Sequence, residues 1–398
     1  MIRNIVFTYI TPFHPERGGI GRMTHTLTLE LQRRGYQVYY LIYECSITVK
    51  HVYDYPAPLT YLPSKDCTSK ENIRFYHQYL QDHKIDVVIN QSGNFSDSEL
   101  WLNTGDPSIK VISVLHSSPW VAYKHLWSSD VLPLRSELFI EKLKRIARIM
   151  LYPRIKRTFK KQRIHHFQKT LPITDIACML SPNYYDELDE ICPGYRHKYR
   201  AIANPNSFTE EELCRTAQEK KKVILFVGLF GPPKREDRLV KLWTKLGPLY
   251  PDWTLIMVGK GSPKREAYLH YLARKIPNIQ FAGFQSPLPY FQQARIFCVT
   301  SNYEGWPMVL TEAMQCGTVP IAFNSFAAVT DIIHDGIDGT LVKPFDMKRY
   351  ECQLRTLMEN PEKLQAMSNQ CRENVKRFSV ERITDQWEAL FRELATSN

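Results

Sequence analysis

The sequence lacks the long apolar run that a membrane-spanning helix requires. No apolar stretch among its 398 residues approaches the ~18 residues of such a helix. The opening letters, MIRNIVFTYITPF, are not followed by the small-residue cleavage site of a secretory signal. We therefore expect no transmembrane span, and we interpret this start as a first buried strand. Hydrophobic residues still make up 43% of the chain, which is enough for substantial cores.

Paired cysteines are also absent. The nine cysteines form no C-x-x-C pair and no Cys/His cluster at the spacing of a zinc site. An odd number of dispersed cysteines fits a reducing compartment better than a disulfide framework. The cysteine pattern therefore predicts a cytoplasmic protein.

One segment, residues 142–169, lacks acidic side chains altogether. It contains eleven Lys or Arg, as many positive charges as the net charge of +11 on the whole chain. Such a segment is expected to meet anionic lipid, nucleic acid or a phosphorylated substrate. Apolar residues recur among the cations at loosely helical spacing, which fits a helix on an anionic membrane surface; a helix packed on its own domain is the alternative. No nucleic-acid-binding motif accompanies the charge, so we expect no nucleic-acid partner.

The remaining sequence alternates strand-like and helix-like segments, which is typical of an α/β protein with parallel sheets. The pattern predicts two doubly wound, Rossmann-like domains, residues 1–205 and 206–378, followed by an amphipathic helix over residues 379–398 that can cross back to the first domain. Ten strands are predicted, at residues 4–10, 37–43, 87–89, 111–115, 173–180, 223–227, 255–258, 279–281, 296–300 and 319–323.

Two carboxylates eight residues apart mark the sharpest candidate site. Glu304 follows the predicted strand over residues 296–300, and Glu312 lies in the helix that the sequence predicts next. Pro307 suits the first position of that helix, because a proline has no N–H to leave unpaired. The amides at the start of such a helix favour a diphosphate, and carboxylates beside it can accept hydrogen bonds from sugar hydroxyls.

The letters from residue 304 onward, EGWPMVLTEAMQCGTVPIAF, followed by DIIHDGIDGTLV, resemble glycosyltransferase family 4, whose retaining GT-B enzymes carry a Glu-x7-Glu motif. The resemblance is strong over residues 222–345 and looser in the N-terminal half. It implies the GT-B fold, two Rossmann-like domains that face a cleft. It further implies that Glu304 contacts the donor sugar and Glu312 the ribose, and that a diphosphate is held by the backbone of four residues, Pro307, Met308, Val309 and Leu310.

The same resemblance assigns a cationic loop after the first strand of the second domain. Lys234 matches the family's lysine, whose charge would stabilise the departing diphosphate. Leu229 stands where the family has an arginine, which is a departure from the pattern. Either Arg235 replaces that charge, or the pocket is less cationic than the family pattern implies. A solvated basic loop is the structural alternative.

Three further positions are candidates by resemblance. Gly18 and Gly19 belong to a Gly-rich loop that would approach the donor phosphates, although glycines there can also simply make a turn. His116 ends the predicted strand over residues 111–115, where a reacting group would lie; a structural histidine is the alternative. The backbone at Phe284 would contact the base.

These features predict a retaining hexosyltransferase that uses a nucleoside diphosphate sugar, with a UDP-sugar as the expected donor. The resemblance implies a glycan or lipid-linked glycan acceptor, bacterial surface polysaccharide or lipopolysaccharide assembly, and no metal or other cofactor. Residues 142–169 would give peripheral contact with the inner face of the cell membrane. Because a fold does not settle function, another GT-B reaction, that of an epimerase or a phosphorylase, stays open. A non-enzymatic protein that binds through the basic segment is a further alternative.

Overall fold

A computed structural model describes residues 2–43, 53–95, 98–124, 149–215 and 219–396. They divide into two compact units. The first contains the described residues up to Pro205 together with the C-terminal helix from Val380 onward, and the second runs from Asn206 to Ser379. Residues 142–148, the start of the basic segment, lie outside the described residues.

The first unit is built on a parallel sheet. Its strands, as far as the structure describes the chain, are β1 (Asn4–Tyr9), β2 (Gln37–Ile42), β3 (Leu59–Tyr61), β4 (Val87–Asn90), β5 (Lys110–Leu115), β6 (Ile176–Met179) and β7 (Tyr199–Ala201). Their order is β3-β2-β1-β4-β5-β6-β7. Strands β4 and β6 are buried along their whole length, as the interior strands of a parallel sheet are. The order reverses at β1, so the carboxyl ends of β1 and β4 flank a topological switch point.

Helices connect these strands: α1 (Gly19–Arg33), α2 (Lys70–Asp82), α3 (Ser98–Leu102), α4 (Val121–Lys124), α5 (Tyr152–Thr170) and α6 (Tyr185–Ile191). Local chemistry sets their ends. Helix α2, for example, begins after Ser69, whose hydroxyl accepts a hydrogen bond from the amide of Asn72 at 3.1 Å. Its buried face then packs Tyr76 edge-on against Trp101 in the core.

The second unit has a parallel sheet of its own. Its described strands are β8 (Val223–Val227), β9 (Thr254–Val258), β10 (Ile279–Gly283), β11 (Ile296–Val299), β12 (Val319–Phe323) and β13 (Thr340–Val342), in the order β10-β9-β8-β11-β12-β13. The described helices are α7 (Glu210–Arg215), α8 (Glu236–Leu246), α9 (Pro263–Ala273), α10 (Leu288–Gln293), α11 (Met308–Gln315), α12 (Val329–Ile332), α13 (Met347–Glu359) and α14 (Pro361–Asn374). Helix α11 ends before Gly317, whose φ of 64° is the left-handed conformation that commonly ends a helix.

The last helix, α15 (Val380–Thr396), belongs to the first unit. It is held there by the guanidinium of Arg34 at the end of α1. One nitrogen of that guanidinium donates to Asp385 at 2.6 Å and to Glu388 at 2.7 Å. The ring of Phe391 lies 5.7 Å from that of Tyr36. Apolar packing and a charge-assisted network therefore both fix the C-terminal helix on α1.

Candidate active site

The strand order of the second unit reverses at β8, with β9 on one side and β11 on the other. Ligands of open parallel sheets bind beside the carboxyl ends of the strands at such a point. Two loops leave the sheet there, residues 228–235 after β8 and residues 300–307 after β11. These are the two loops in which the sequence predicts catalytic side chains.

Lys234 and Glu304 meet at this switch point. The ammonium nitrogen of Lys234 lies 2.7 Å from one carboxylate oxygen of Glu304, and the Ser301 hydroxyl donates to the same oxygen at 2.6 Å. The side chains of the Lys–Glu pair are only 23% and 13% exposed. Water screens the pair less than it would screen an ion pair on the surface. The structure thus brings together two predicted site residues that lie seventy positions apart in the sequence.

Backbone contacts fix the two loops independently of that ion pair. The amide of Asn302 donates to the carbonyl of Pro233 at 2.8 Å, and the hydroxyl of Thr300 donates to the carbonyl of Arg235 at 3.0 Å. A carboxylate and a cation held on mutually bonded loops are preorganised, so little reorganisation is needed when a charged ligand arrives.

Arg235 is directed to a different partner. Its backbone is left-handed, with φ 50°, and its guanidinium donates to Asp237 at 3.0 Å. Arg265 donates to the same carboxylate at 2.7 Å. Burial alone would raise the pKa of the Asp237 carboxyl, but the two guanidinium groups outweigh it and hold that pKa well below its usual range. If Arg235 replaces the charge missing at Leu229, it must share its guanidinium with Asp237.

Glu312 lies inside α11 and is completely buried. One of its carboxylate oxygens accepts a hydrogen bond from the hydroxyl of Ser207 at 2.8 Å. Gln315, one turn further along the helix, accepts from the amide of Phe208 at 3.2 Å and donates to its carbonyl at 2.8 Å. Residues 207–208 therefore hold the side chains of α11 in place. The sequence analysis did not single out Ser207, since no spacing rule connects it to a helix about one hundred residues away.

The start of α11 corrects two details of the sequence analysis. The helix begins at Met308, so Pro307 stands just before the first helical position instead of in it. The amide of Leu310 donates to the carbonyl of Pro307 at 2.8 Å. Proline has no N–H and the Leu310 amide is engaged, so the candidate diphosphate donors of this turn reduce to the amides of Met308 and Val309.

An exposed patch lies at the ends of β8, β9 and β10. Leu229 is 60% exposed and Phe284 is 56% exposed, which is unusual for large apolar side chains beside a candidate site. The ammonium of Lys260 lies 4.4 Å from the centre of the Phe284 ring, a cation–π contact. The amide of Phe230 donates to the carbonyl of Lys260 at 2.8 Å, which joins the β8 and β9 loops. The sequence analysis did not single out Lys260, because its contact with Phe284 joins two different loops.

In the first unit, the predicted Gly-rich loop is mostly the first turn of a helix. Gly18 lies just before α1, whereas Gly19 already begins that helix. Gly21 has a packing reason to be glycine, because a Cβ there would lie 2.4 Å from the carbonyl oxygen of His14. The prediction that Gly19 belongs to a loop was therefore wrong, whereas Gly18 does lie outside the helix.

His116 leaves the carboxyl end of β5 and contacts Gln91, which follows β4. The Nε2 atom of His116 lies 2.5 Å from the Gln91 side-chain oxygen, and the Gln91 amide donates to the hydroxyl of Thr24 in α1 at 3.3 Å. Burial lowers the pKa of the His116 imidazole to about 3, so the ring is neutral near pH 7. Among the described residues nothing bonds to its Nδ1 atom. A neutral ring that donates from Nε2 presents Nδ1 as a hydrogen-bond acceptor.

The described part of the basic segment is mainly helix α5. Three successive apolar residues precede it with unusual exposure: Ile149 is 42% exposed, Met150 78% and Leu151 50%. Most cations of the helix are on its solvated side, whereas Arg163 and His166 face the domain. No helix in the described ranges is long and apolar enough to cross a membrane. Those ranges also contain no group of three or more His, Cys, Asp or Glu side chains placed to hold a metal ion.

Two parallel-sheet α/β units, with the candidate site at strand ends, define this chain as a GT-B protein. Solved structures confirm the fold. Sucrose-phosphate synthase from Thermosynechococcus elongatus matches with a TM-score of 0.75 at 17% identity and covers 100% of both chains. HepE of Anabaena, in complex with UDP, matches with a TM-score of 0.72 at 14% identity over 99% of this chain and 100% of that one.

The sequence comparisons point to the same class. Residues 209–374 match the family model described as glycosyl transferases group 1. An uncharacterized glycosyltransferase of Haemophilus influenzae is 30% identical over 194 residues, which are 48% of this chain and 54% of that protein. An N-acetyl-D-galactosaminyltransferase of Campylobacter jejuni is 23% identical over 200 residues, 50% of this chain and 55% of that protein. The chain thus spans about half the length of the curated relatives it matches.

Proposed function

We propose that this protein is a retaining glycosyltransferase that moves a hexose from a nucleoside diphosphate sugar to a glycan or lipid-linked glycan. The observation that carries the proposal is the Lys234–Glu304 pair at the switch point of the second unit. It lies within the residues that match the group 1 glycosyl transferase model. A cation and a carboxylate on neighbouring loops suit a donor that combines a diphosphate with sugar hydroxyls.

Each side chain has a distinct role in this mechanism. The ammonium of Lys234 would neutralise the diphosphate as the glycosidic bond breaks, with the amides of Met308 and Val309 sharing its negative charge. Glu304 would accept hydrogen bonds from donor-sugar hydroxyls, and Glu312 from the ribose. Because cations and amides can supply the stabilisation of the leaving group, we propose that the reaction needs no metal.

The donor is proposed to be a UDP-sugar. HepE of Anabaena, which shares the fold, is described in complexes with UDP and with UDP-glucose. The acceptor proposal draws on the Campylobacter jejuni relative, whose name specifies a glycan carried on diNAcBac-PP-undecaprenol. A relative from Erwinia amylovora is named for amylovoran biosynthesis. These names support a place in bacterial surface polysaccharide or lipopolysaccharide assembly.

Peripheral contact with the cytoplasmic face of the membrane is part of the proposal, because the acceptor would be lipid-linked. Helix α5 presents cations to solvent, and Ile149, Met150 and Leu151 precede it with large exposed fractions. Sedimentation with anionic vesicles should fall in Met150→Asp and remain in Leu249→Asp, a matched control at a residue 63% exposed in the second unit. Equal sedimentation of Met150→Asp and the wild type would refute this contact.

The function is tested first by calorimetry with UDP-, GDP- and ADP-sugars in the presence of a chelator. We expect one donor to bind the wild type, and Glu312→Gln to weaken that binding by about tenfold through loss of a charge-assisted hydrogen bond. The exposed Glu362→Gln of the same unit serves as the control. Product analysis then separates the alternatives: an epimerised nucleotide sugar or a sugar phosphate would replace this proposal with an epimerase or a phosphorylase. Failure of every nucleotide to bind would refute the donor site.

A further inference from the structure

Arg163 differs from the other cations of helix α5, because its guanidinium points into the first unit. It makes four hydrogen bonds, all to neutral oxygens. Two reach the loop after β4, to the backbone carbonyl of Asn94 at 2.7 Å and to its side-chain oxygen at 2.9 Å. Two reach the loop after β5, to the carbonyl of Pro119 at 3.1 and 3.2 Å. One planar group therefore spans two loops of the sheet edge.

Arg163 keeps its positive charge although the protein removes part of the water around its guanidinium. Burial lowers the pKa of the guanidinium to about 10, and no carboxylate within the described ranges pairs with it. Its remaining close neighbour is the ring of Phe167, 4.8 Å away. A half-buried cation without a counter-ion is costly to desolvate, so it is expected where its hydrogen-bonding geometry serves a purpose. A lysine ammonium can also bond several acceptors, but it lacks the planar fork that places these four hydrogen bonds, so we expect it to replace Arg163 only in part.

The two loops that Arg163 joins carry the candidate pair of this unit. Gln91 lies three residues before Asn94, and His116 lies three residues before Pro119. The loops are also connected to each other, since the Asn94 amide donates to the carbonyl and hydroxyl oxygens of Ser117 at 3.1 Å. A second inward residue of α5 adds to this arrangement: His166 Nε2 lies 3.0 Å from the carbonyl of Gly93.

We propose that Arg163 is a positioning residue that fixes the loops after β4 and β5, and through them sets the His116–Gln91 contact. The inference rests on the proposed function and on the family resemblance, which implies a catalytic role for His116. Arg163 itself touches neither member of the pair. It acts by holding the two loop backbones at a fixed separation, so that the His116 ring keeps its tautomer and its direction. Displacements of about 1 Å at such a position can reduce turnover by about 100-fold.

The test compares Arg163→Lys and Arg163→Ala with Arg74→Lys and Arg74→Ala, which change an exposed cation of helix α2 in the same unit. In both Arg163 variants we expect kcat to fall about 10- to 100-fold, while the affinity for the nucleotide sugar stays within about twofold. Added guanidinium ion at a sub-denaturing concentration should restore part of the activity of Arg163→Ala, as it would refill the fork between the loops. The Arg74 variants should retain wild-type kcat.

A second readout does not depend on turnover. In protein labelled with nitrogen-15 at histidine, the His116 signal, assigned with a His116→Asn variant, should shift or broaden in Arg163→Lys and stay unchanged in Arg74→Lys. An unchanged His116 signal in folded Arg163→Lys would overturn the inference, and so would wild-type kcat in that variant. If the wild type binds no nucleotide sugar, the proposed function fails, whereas the histidine signal still decides whether Arg163 positions His116.

Discussion

Replacing Lys234 with Met should reveal how much of the chemistry depends on one cation. The substitution removes an ammonium that lies 2.7 Å from Glu304 in a pair only 23% and 13% exposed. In the proposed reaction the same ammonium faces the diphosphate as it departs. Loss of one preorganised donor at a developing negative charge costs about 100- to 1,000-fold in kcat, or about 3–4 kcal/mol. Lys234→Arg, which keeps the charge but changes its shape, should lose less.

The same substitution has a consequence for stability that can be measured separately. In Lys234→Met the carboxylate of Glu304 keeps the Ser301 hydroxyl but loses its counter-ion in a poorly hydrated place. We expect a loss of about 1–3 kcal/mol in the free energy of unfolding, and a double variant with Glu304→Gln should recover part of it. Urea unfolding and steady-state kinetics with the nucleotide sugar measure the two effects.

Lys241→Met is the matched control for both measurements. Lys241 also pairs with a carboxylate, 3.4 Å from Asp237, but its side chain is 52% exposed. Its replacement should change the free energy of unfolding by less than about 0.5 kcal/mol and leave kcat unaltered. Wild-type kcat in a folded Lys234→Met would refute the role assigned to Lys234, and equal losses in both variants would show a general charge effect.

Three further outcomes are expected from the structure. Lys220→Met should lower the free energy of unfolding by about 1–3 kcal/mol in urea, because the ammonium donates to two carbonyls and a hydroxyl at 2.7–2.9 Å; the exposed Lys221→Met should not. Gly21→Ala should be destabilising by about 1–3 kcal/mol in thermal unfolding, although alanine favours helices, because its Cβ would meet the carbonyl of His14; a stabilised variant would contradict that packing. His116 has a folded pKa of about 3, below its usual 6.5, so its contribution to stability is complete above pH 6.5 and is lost as pH falls toward 3. Wild type should therefore lose stability more steeply than His116→Asn over that interval, and parallel pH profiles would contradict the shift.

The sequence predicts the fold well where strands are long and central. All ten predicted strands are present, and the three that were missed are β3, β7 and β13. Each of these has only three residues and lies at the edge of its sheet. A three-residue strand is too short to show a period, and an edge strand need not be apolar on both faces. The missed strands are therefore those whose position depends on pairing with a neighbour instead of on their own composition.

The residues of the candidate site also divide into those that the sequence predicts and those that it does not. Glu304 could be predicted because it follows a strong strand signal, and Lys234 because it follows another and matches the family's lysine. The carboxyl ends of neighbouring parallel strands lie at one edge. Ser207, Gln91 and Arg163 could not be predicted, because their roles come from contacts between segments 25 to 105 positions apart in sequence. Among the described residues of the charge run over residues 142–169, most cations of α5 are exposed, but no rule of composition shows which cation of a helix turns inward.

The contacts of the neighbouring cations indicate what the departure from the family pattern at Leu229 would mean for the proposed donor site. The arginine that the family resemblance leads one to expect there is replaced by an apolar side chain that is 60% exposed. Arg235 is committed to Asp237, and the ammonium of Lys260 lies against the ring of Phe284. Of the cations that the structure describes in these loops, Lys234 is the one bonded to Glu304. In the proposed reaction, neutralisation of the diphosphate would then depend more heavily on Lys234 than in a site with two cations, so its replacement should fall toward the upper end of the range for a single donor.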